Sequence, residues 1–191
     1  MEKSKEFYYH QLYELAANLN STHAPETVLQ SMVEGVAKAM GAKGCSLLLL
    51  KPDRKVLRHT VSHGLSDRYT TKKGPVSADK SIAEALQGEA VFVLDATSDP
   101  RVQYPAENKK EGIASILSVP MMLRGETIGV IRVYTGEPYE FNPDDTYFVW
   151  AVANLGAIAL ENARLYESAQ KDYRTLALDV QEWGSRLRGV L

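Results

Sequence analysis

The sequence predicts an α+β domain: a mostly antiparallel sheet with helices before, between and after its strands. Three observations carry that expectation. Gly44–Leu50 (GCSLLLL) is a short, nearly continuous apolar run of the kind that forms a central strand covered on both faces. Ile113–Leu123 and Glu126–Tyr134 are two further strand-like runs joined at Arg124-Gly125, a hairpin signal. Helical periodicity brackets them on both sides, and the closing helical segment is unusually long.

The first helix is expected from about Lys3 to Asn20, where Tyr8, Leu12, Leu15 and Leu19 make one apolar stripe. Ser21–Ala24 interrupts it. Pro25 starts a second helix, since a first-turn proline lacks only an N–H that would have no helical partner. Its wide face of Val28, Leu29, Met32, Val33, Val36, Ala37 and Met40 suits packing on a sheet, and Gly41 suits its end. After the central strand, Pro52–Lys55 turns the chain and Val56–Ser62 returns as a more polar, edge-like strand ended by Gly64. Ser77–Lys80 offers caps for a short helix through Ile82, Ala85 and Leu86, which stops at Gly88. Ala90–Leu94 reads as a short strand, and Asp95–Ala106 as loop or short helix around Asp99-Pro100 and Pro105.

Beyond the hairpin, Asn142 is a good N-cap, Pro143 fits the first helical position, and Asp144 and Asp145 favour the positive end of the helix dipole. The expected architecture therefore has four longer strands and one short one. The second and last helices cover one sheet face. The short helix and the Asp95–Gly112 segment cover the other, leaving a pocket between them.

Composition narrows the function classes. The 191 residues carry 22 basic and 24 acidic side chains, a net charge of −2, which gives no general reason to bind nucleic acid. No apolar run approaches the ~20 residues of a membrane span, and the charged start Met1–Glu6 does not resemble a secretion signal. A single cysteine, Cys45, excludes an internal disulfide framework and multi-cysteine metal sites, and fits a cytoplasmic protein. Residues 51–80 hold eight basic against three acidic side chains, a pattern expected on a solvated hairpin and loop.

The joint order of several short pieces carries a resemblance. They are Asp95 with the Ser98-Asp99-Pro100-Arg101 turn, Ser115-Ile116-Leu117-Ser118-Val119-Pro120-Met121, Gly125, Ile128-Gly129-Val130-Ile131, Phe141 and Ala157-Ile158-Ala159-Leu160-Glu161-Asn162-Ala163. Over about Ala24 to Tyr166 the chain resembles a GAF domain, the small-molecule sensor module of many bacterial signalling proteins. The resemblance implies a profilin-like antiparallel sheet with a ligand pocket under the segment 76–112. A PAS domain ranks second, because the paired flanking helices and the Val119-Pro120 strand suit the first family better. Gly129 then permits close backbone approach within a strand, and Pro120 sits near a strand end.

The specific chemistries that the resemblance offers are mostly excluded by the residues. Covalent bilin attachment needs a cysteine in the pocket loop, and residues 95–112 contain none. The cyclic-nucleotide signature Asn-Lys-x-x-Phe-Asp is not completed after Asn108-Lys109, where Lys110-Glu111 follows. Methionine-sulfoxide reductase relatives need several cysteines for attack and resolution, whereas Cys45 stands alone and is expected to be a buried core residue. His59 and His63 would lie ~13 Å apart along a strand, too far to grip one metal, and no cofactor is expected.

Non-covalent binding remains, with Asp95, Arg101, Tyr104, Ser115, Ser118 and Arg132 as the candidate ligand residues. Arg132 is the unusual one. Strand alternation puts it on the same side as Ile128, Val130 and Tyr134, where a charge needs a ligand or an internal partner such as Asp95 or Glu111.

Along the last helix, Val152, Leu155, Ala159, Asn162, Tyr166, Ala169, Tyr173, Leu176, Val180, Trp183, Leu187 and Val190 alternate by three and four residues. This is a heptad seam, with Glu167–Lys171 and Glu182–Arg186 adding i,i+4 support. A helix from Pro143 to Val190 would span ~72 Å, more than its own domain can cover. The expected partner is a second copy in parallel, with Asn162 setting register and Leu12 and Leu15 of the first helix joining a four-helix interface.

The expected division is residues 1–22 as bundle helix, 23–150 as the sensor domain and 151–191 as signalling helix. The expected function is non-catalytic sensing of an unidentified small molecule, with the output in a partner protein or output domain. A ligand-free dimerisation module, with Tyr69, Tyr104, Met121 and Met122 plugging the pocket, is the alternative, and a redox enzyme of the methionine-sulfoxide reductase type stands third.

Overall fold

The computed structural model describes residues 3–19, 25–51, 53–72, 76–77 and 82–188. Two helices open the chain, α1 (Lys5–Leu19) and α2 (Pro25–Met40). The strands are β1 (Gly44–Leu50), β2 (Val56–His63), β3 (Val76–Ser77), β4 (Val91–Val93), β5 (Ser115–Leu123) and β6 (Glu126–Thr135). Between them lie a π-helical turn at Arg68–Lys72, α3 (Ala83–Leu86) and α4 (Pro105–Glu111), and α5 (Pro143–Arg188) closes the described chain.

The strands form one sheet in the order β3-β2-β1-β6-β5-β4, with every neighbouring pair antiparallel. β1 is central as its apolar run requires, and its first five residues are fully buried. Gly129 on β6 lies against β1: a Cβ there would stand 2.5 Å from the Leu48 carbonyl oxygen.

α2 and α5 cover one sheet face, with α1 packed behind them. Their core joins Met32, Val33 and Val36 of α2 to Leu47, Val119, Met121, Ile131 and Val133 of the sheet and to Val149, Val152 and Ala153 of α5. Gly156 lets α5 lie flush there, since a Cβ would come within 2.8 Å of Met32 Cε. The other face is roofed by the π-helical turn, α3, the β4–α4 loop and α4, over two smaller clusters. This is the two-sided arrangement that the helix and strand patterns imply.

Several local expectations differ from what is observed. The sheet has six strands rather than five, because two-residue β3 pairs with Val56 and Leu57. β2 is therefore not the edge at Val56 and Leu57, while the rest of it keeps the half-exposed, edge-like character expected. The capped helix start at Ser77–Lys80 is replaced by strand at Ser77, and positions 78–80 lie outside the described residues. Ile128 does not share a side with Val130 and Arg132. The register shifts between Met121 and Met122, so one β6 residue is extra, and Ile128 packs against the helix-side core. Met121 also belongs to that core and cannot plug a pocket on the opposite face.

α1 spends its stripe on its own chain. Tyr8 and Leu15 are buried and Leu12 packs against the same core, with Leu15 seated on Gly35 of α2. Leu15 is thus a core residue of the protomer, and Leu12 is partly buried against it. Leu155 likewise packs against the protomer core. The side chains of Leu19, Val180, Trp183 and Leu187 lie outside the described residues.

Candidate functional site

The roofed face of the sheet carries a polar row between its two apolar clusters. Ser46 on β1 lies opposite Arg132 on β6, and Arg132 lies opposite Ser118 on β5. Paired residues of an antiparallel sheet share a face, so the three point the same way. On one side of the row lies the Leu48, Leu57, Val130, Val91 cluster, on the other the Ile116, Val93, Tyr134, Tyr69 cluster.

All three row residues are buried, Arg132 to 4 % exposure. Arg132 Nε donates to Ser118 Oγ at 3.0 Å, and its positive charge works on the Tyr134 phenol beside it. Tyr134 in turn shares a 2.9 Å hydrogen bond with Ser46 Oγ. A charge in such a place must be met by polar groups, and these neutral hydroxyls supply part of that solvation.

The roof is tied to the row from above. Tyr69, on the π-helical turn, stands edge-on to Tyr134 with ring centroids 5.8 Å apart, and His59 of β2 meets Tyr69 in the same manner. Tyr69 donates to Asn108 Oδ1 on α4 at 2.8 Å, and Asn108 Nδ2 donates to the Ala96 carbonyl. Glu111 accepts from both the N–H and the hydroxyl of Ser66. The π-helical turn and α4 therefore sit on the sheet as one linked layer. Burial pushes the Tyr69 and Tyr134 phenols up, partly offset by the positive charge of Arg132, so both remain hydrogen-bond donors at neutral pH.

The six candidate ligand residues separate into two groups. Ser118 and Arg132 lie in the row. Ser115 is buried but holds the backbone, donating to the Leu94 carbonyl and accepting from Tyr139 N–H. Asp95 is exposed and caps its own turn through Thr97 and Ser98. Arg101 is exposed as well, paired with Asp99 at 2.7 Å and donating to the Phe92 carbonyl. The Tyr104 hydroxyl accepts from Gln103, whose side chain reaches Ser77 N–H. Asp95 and Glu111, the two acids named as partners for Arg132, are thus engaged at their own loops.

Ser46 escaped the sequence reading, which took Tyr69 only as a plug of the pocket, Tyr134 only as a neighbour of Arg132 on its strand face and Asn108 only as part of an incomplete cyclic-nucleotide signature. The available signal was a polar residue at an inward strand position: Ser46 interrupts an apolar run just as Arg132 does. Cys45 faces the helix-side core, and burial pushes its thiol up, away from the thiolate a nucleophile requires. Among the described residues no group of three His, Cys, Asp or Glu side chains could hold a metal ion.

A curled antiparallel sheet with a helical back layer, a roofed front and a long exit helix defines a class of small α+β domains. The chain matches the GAF domain family over residues 22–161 and belongs to that family. Among solved structures it is similar to the GAF domain of a phosphoenolpyruvate-protein phosphotransferase from Coxiella burnetii, with TM-score 0.76 and 18 % identity, covering 87 % of this chain and 99 % of that one. It is also similar to a domain of a putative two-component sensor histidine kinase from Sinorhizobium meliloti, with TM-score 0.67 and 20 % identity, covering 77 % and 97 %. A third likeness is to a free methionine-R-sulfoxide reductase from Neisseria meningitidis in complex with its substrate, with TM-score 0.72 and 15 % identity, covering 87 % and 95 %. At these identities the structures share the fold. No curated protein matches in sequence. GAF domains occur in sensor and signalling proteins and are generally regulatory. Among the described residues no helix is long and apolar enough to cross a membrane.

Proposed function

We propose that the chain is a non-catalytic regulatory GAF module. It binds a small polar molecule between the sheet and its roof and passes the change along α5 to a second copy and an output partner. The observation that carries this reading is the buried Ser46–Arg132–Ser118 row, set between two apolar clusters beneath the linked π-helical turn and α4. Arg132 and Ser118 are the ligand-contacting residues of this reading. Asp95, Arg101, Tyr104 and Ser115 shape the surrounding loops. For the ligand to transmit anything it must bind two arrangements of the roof and helices with different affinity.

The test is a thermal-shift screen of organic acids, amino acids and nucleotides against the native chain and Arg132→Met. At a hundredfold excess over Kd, binding contributes about 2.7 kcal/mol. For a protein of this size that is roughly a 5–10 °C rise in Tm. The rise is expected in the native chain and not in Arg132→Met. No shift across the panel, with no small molecule retained in native mass spectrometry of freshly purified protein, overturns the reading.

One observation favours the second reading, a ligand-free dimerisation module. Tyr69 is buried against Tyr134, so the protein's own side chain occupies space beneath the roof. Sulfoxide-reductase chemistry has less support, because a lone buried thiol offers no resolving partner. A turnover assay on free methionine sulfoxide checks that reading, with no turnover expected.

A further inference from the structure

We infer that the Tyr69 ring is a tethered stand-in for the ligand, and that the molecule which takes its place is a hydroxyaromatic carboxylate. This rests on the reading that a small molecule binds between the sheet and its roof, and it adds what that molecule is and what it displaces.

The walls around the ring are the first observation. Tyr69 is 3 % exposed. Tyr134 of β6 meets it edge-on, with the planes at 86°, and His59 of β2 does so at 6.2 Å between centroids and 71°. Two rings set steeply against a third shape a flat slot. Edge-to-face contact favours an aromatic occupant there over an aliphatic one of the same size. Val93 and Ile116 of the same cluster add apolar surface.

The second observation is the polar end of the slot. Asn108, 2 % exposed, accepts the Tyr69 hydroxyl through Oδ1. Its carboxamide is oriented from behind, because Nδ2 donates to the Ala96 carbonyl, a group that accepts and cannot donate. The slot therefore ends in an acceptor. An occupant without a hydroxyl would leave that buried oxygen unmet.

The polar row supplies the third feature. Arg132 is the same-face neighbour of Tyr134, two residues back along β6 and so ~7 Å away. Its positive charge reaches both phenols, which makes negative oxygen less costly at this end of the slot. Ser46 and Ser118 stand beside it with hydroxyls that rotate to suit an acceptor. A carboxylate over the row meets the guanidinium in charge-assisted hydrogen bonds, the stronger kind. Tyr69 matches the slot and the acceptor but brings no anion. A hydroxyaromatic carboxylate matches all three, which lets it compete with a side chain already in place.

The mounting of Tyr69 suits displacement. The ring is carried by the π-helical turn Arg68–Lys72, and single π-turns recur at functional sites. Arg68 and Thr71 of this turn are exposed and Thr70 is half-buried, so the Tyr69 ring is what anchors it. The neighbouring tie from Ser66 to Glu111 lies in solvent. Segments with so little buried side chain open locally while the domain stays folded. Withdrawing the ring vacates the slot and releases Asn108 of α4, so ligand entry changes how the roof is fastened.

The test titrates 3- and 4-hydroxybenzoate, benzoate and p-cresol calorimetrically into the native full chain and Tyr69→Ala. Tyr69→Ala is expected to bind the better hydroxybenzoate at least about tenfold more tightly than benzoate, which lacks the hydroxyl, or p-cresol, which lacks the carboxylate. The native chain should bind the same acid about 10- to 1,000-fold more weakly, as a minor open state of about 0.1–10 % dictates. Arg132→Met added to Tyr69→Ala should abolish the preference over p-cresol. A measurement on the native chain needs no variant to fold. The Tyr69 and Thr70 amides, which donate to the Ser66 carbonyl, should exchange hydrogen at least about a hundredfold faster than those of β1. Equal binding of all four probes to Tyr69→Ala overturns the ligand class and with it the inference. Exchange at Tyr69 as slow as in β1 makes the ring a fixed core residue and overturns the displacement. A ringless molecule that stabilises the native chain overturns this inference and leaves the small-molecule reading standing. If no probe and no member of the wider panel binds either chain, both fall.

Discussion

Tyr8 donates its hydroxyl to Asp145 Oδ1 at 2.5 Å, across 137 positions of sequence. The same buried carboxylate accepts from Tyr139 Oη and from Asn142 N–H through Oδ2, while Asn142 Oδ1 accepts from Asp145 N–H. The last two bonds form a reciprocal cap at the start of α5. One side chain thus starts α5 and fastens α1 to it. Burial and the neighbouring carboxylate push the Tyr8 phenol up, which keeps it a donor. Tyr8→Phe keeps the 4.6 Å stack on Phe148 but loses the donor, and a loss of about 1–2 kcal/mol is expected in urea unfolding. Asp145→Ala also removes the cap and orphans the other donors, and about 3 kcal/mol or more is expected.

Two glycines separate backbone strain from crowding. Gly64 and Gly125 both have positive φ, at +72° and +84°. A Cβ on Gly64 would run into the Lys43 carbonyl oxygen, whereas one on Gly125 meets nothing within 4 Å. Gly125→Ala is expected to cost about 1 kcal/mol, the price of the left-handed conformation alone. Gly64→Ala should cost about 2–4 kcal/mol, because the backbone must also move. Equal shifts in denaturant midpoint would contradict the crowding.

The Ser46–Tyr134 bond is a defined link within the polar row. A double-mutant cycle of Ser46→Ala and Tyr134→Phe is expected to return a coupling energy of about 1 kcal/mol. A value near zero would mean that the two hydroxyls stabilise the row independently.

Asp95 makes a prediction in pH. Hydrogen bonds from the Ser98 and Thr97 side chains and from the Thr97 backbone pull its carboxyl down to about 2. A folded value below the ordinary ~3.9 means that the turn's contribution is complete above about pH 4 and is lost as pH falls through about 2. A carbon-detected NMR titration should place the Asp95 midpoint near 2, and Asp95→Asn should flatten the pH dependence of stability in that window. A midpoint near 3.9 would show that the turn does not engage the carboxylate.

Much of the fold is legible locally. Pro25 and the Asn142-Pro143 pair mark helix starts because capping chemistry acts over four residues, and GCSLLLL marks the central strand because only a doubly covered strand tolerates so unbroken an apolar run. The family resemblance rests on the order of such pieces and agrees with the family match. α4 reads as loop or short helix from its prolines, and Pro105 is in fact at its first turn. The candidate site was only half legible. Arg132 and Ser118 stand out as polar residues on apolar strands, but Asp95 and Arg101 are turn-forming residues whose side chains serve their own loop.

The sequence by itself determined the element types, the two-sided sheet and the long exit helix, because these follow from periodicities and caps that act within a few residues. Only the tertiary structure decided which side chains meet. The shift at Met121–Met122 sends Ile128 to the helix side, and the pairing of β1, β6 and β5 puts Ser46, Arg132 and Ser118 into one row. Contact with the sheet claims the start of the α5 seam and leaves Tyr147 outside. The physical reason is that strand register and helix phase are set by long-range packing. A single extra residue in a strand, or 20° of helix drift per heptad, redirects a side chain without changing any local pattern.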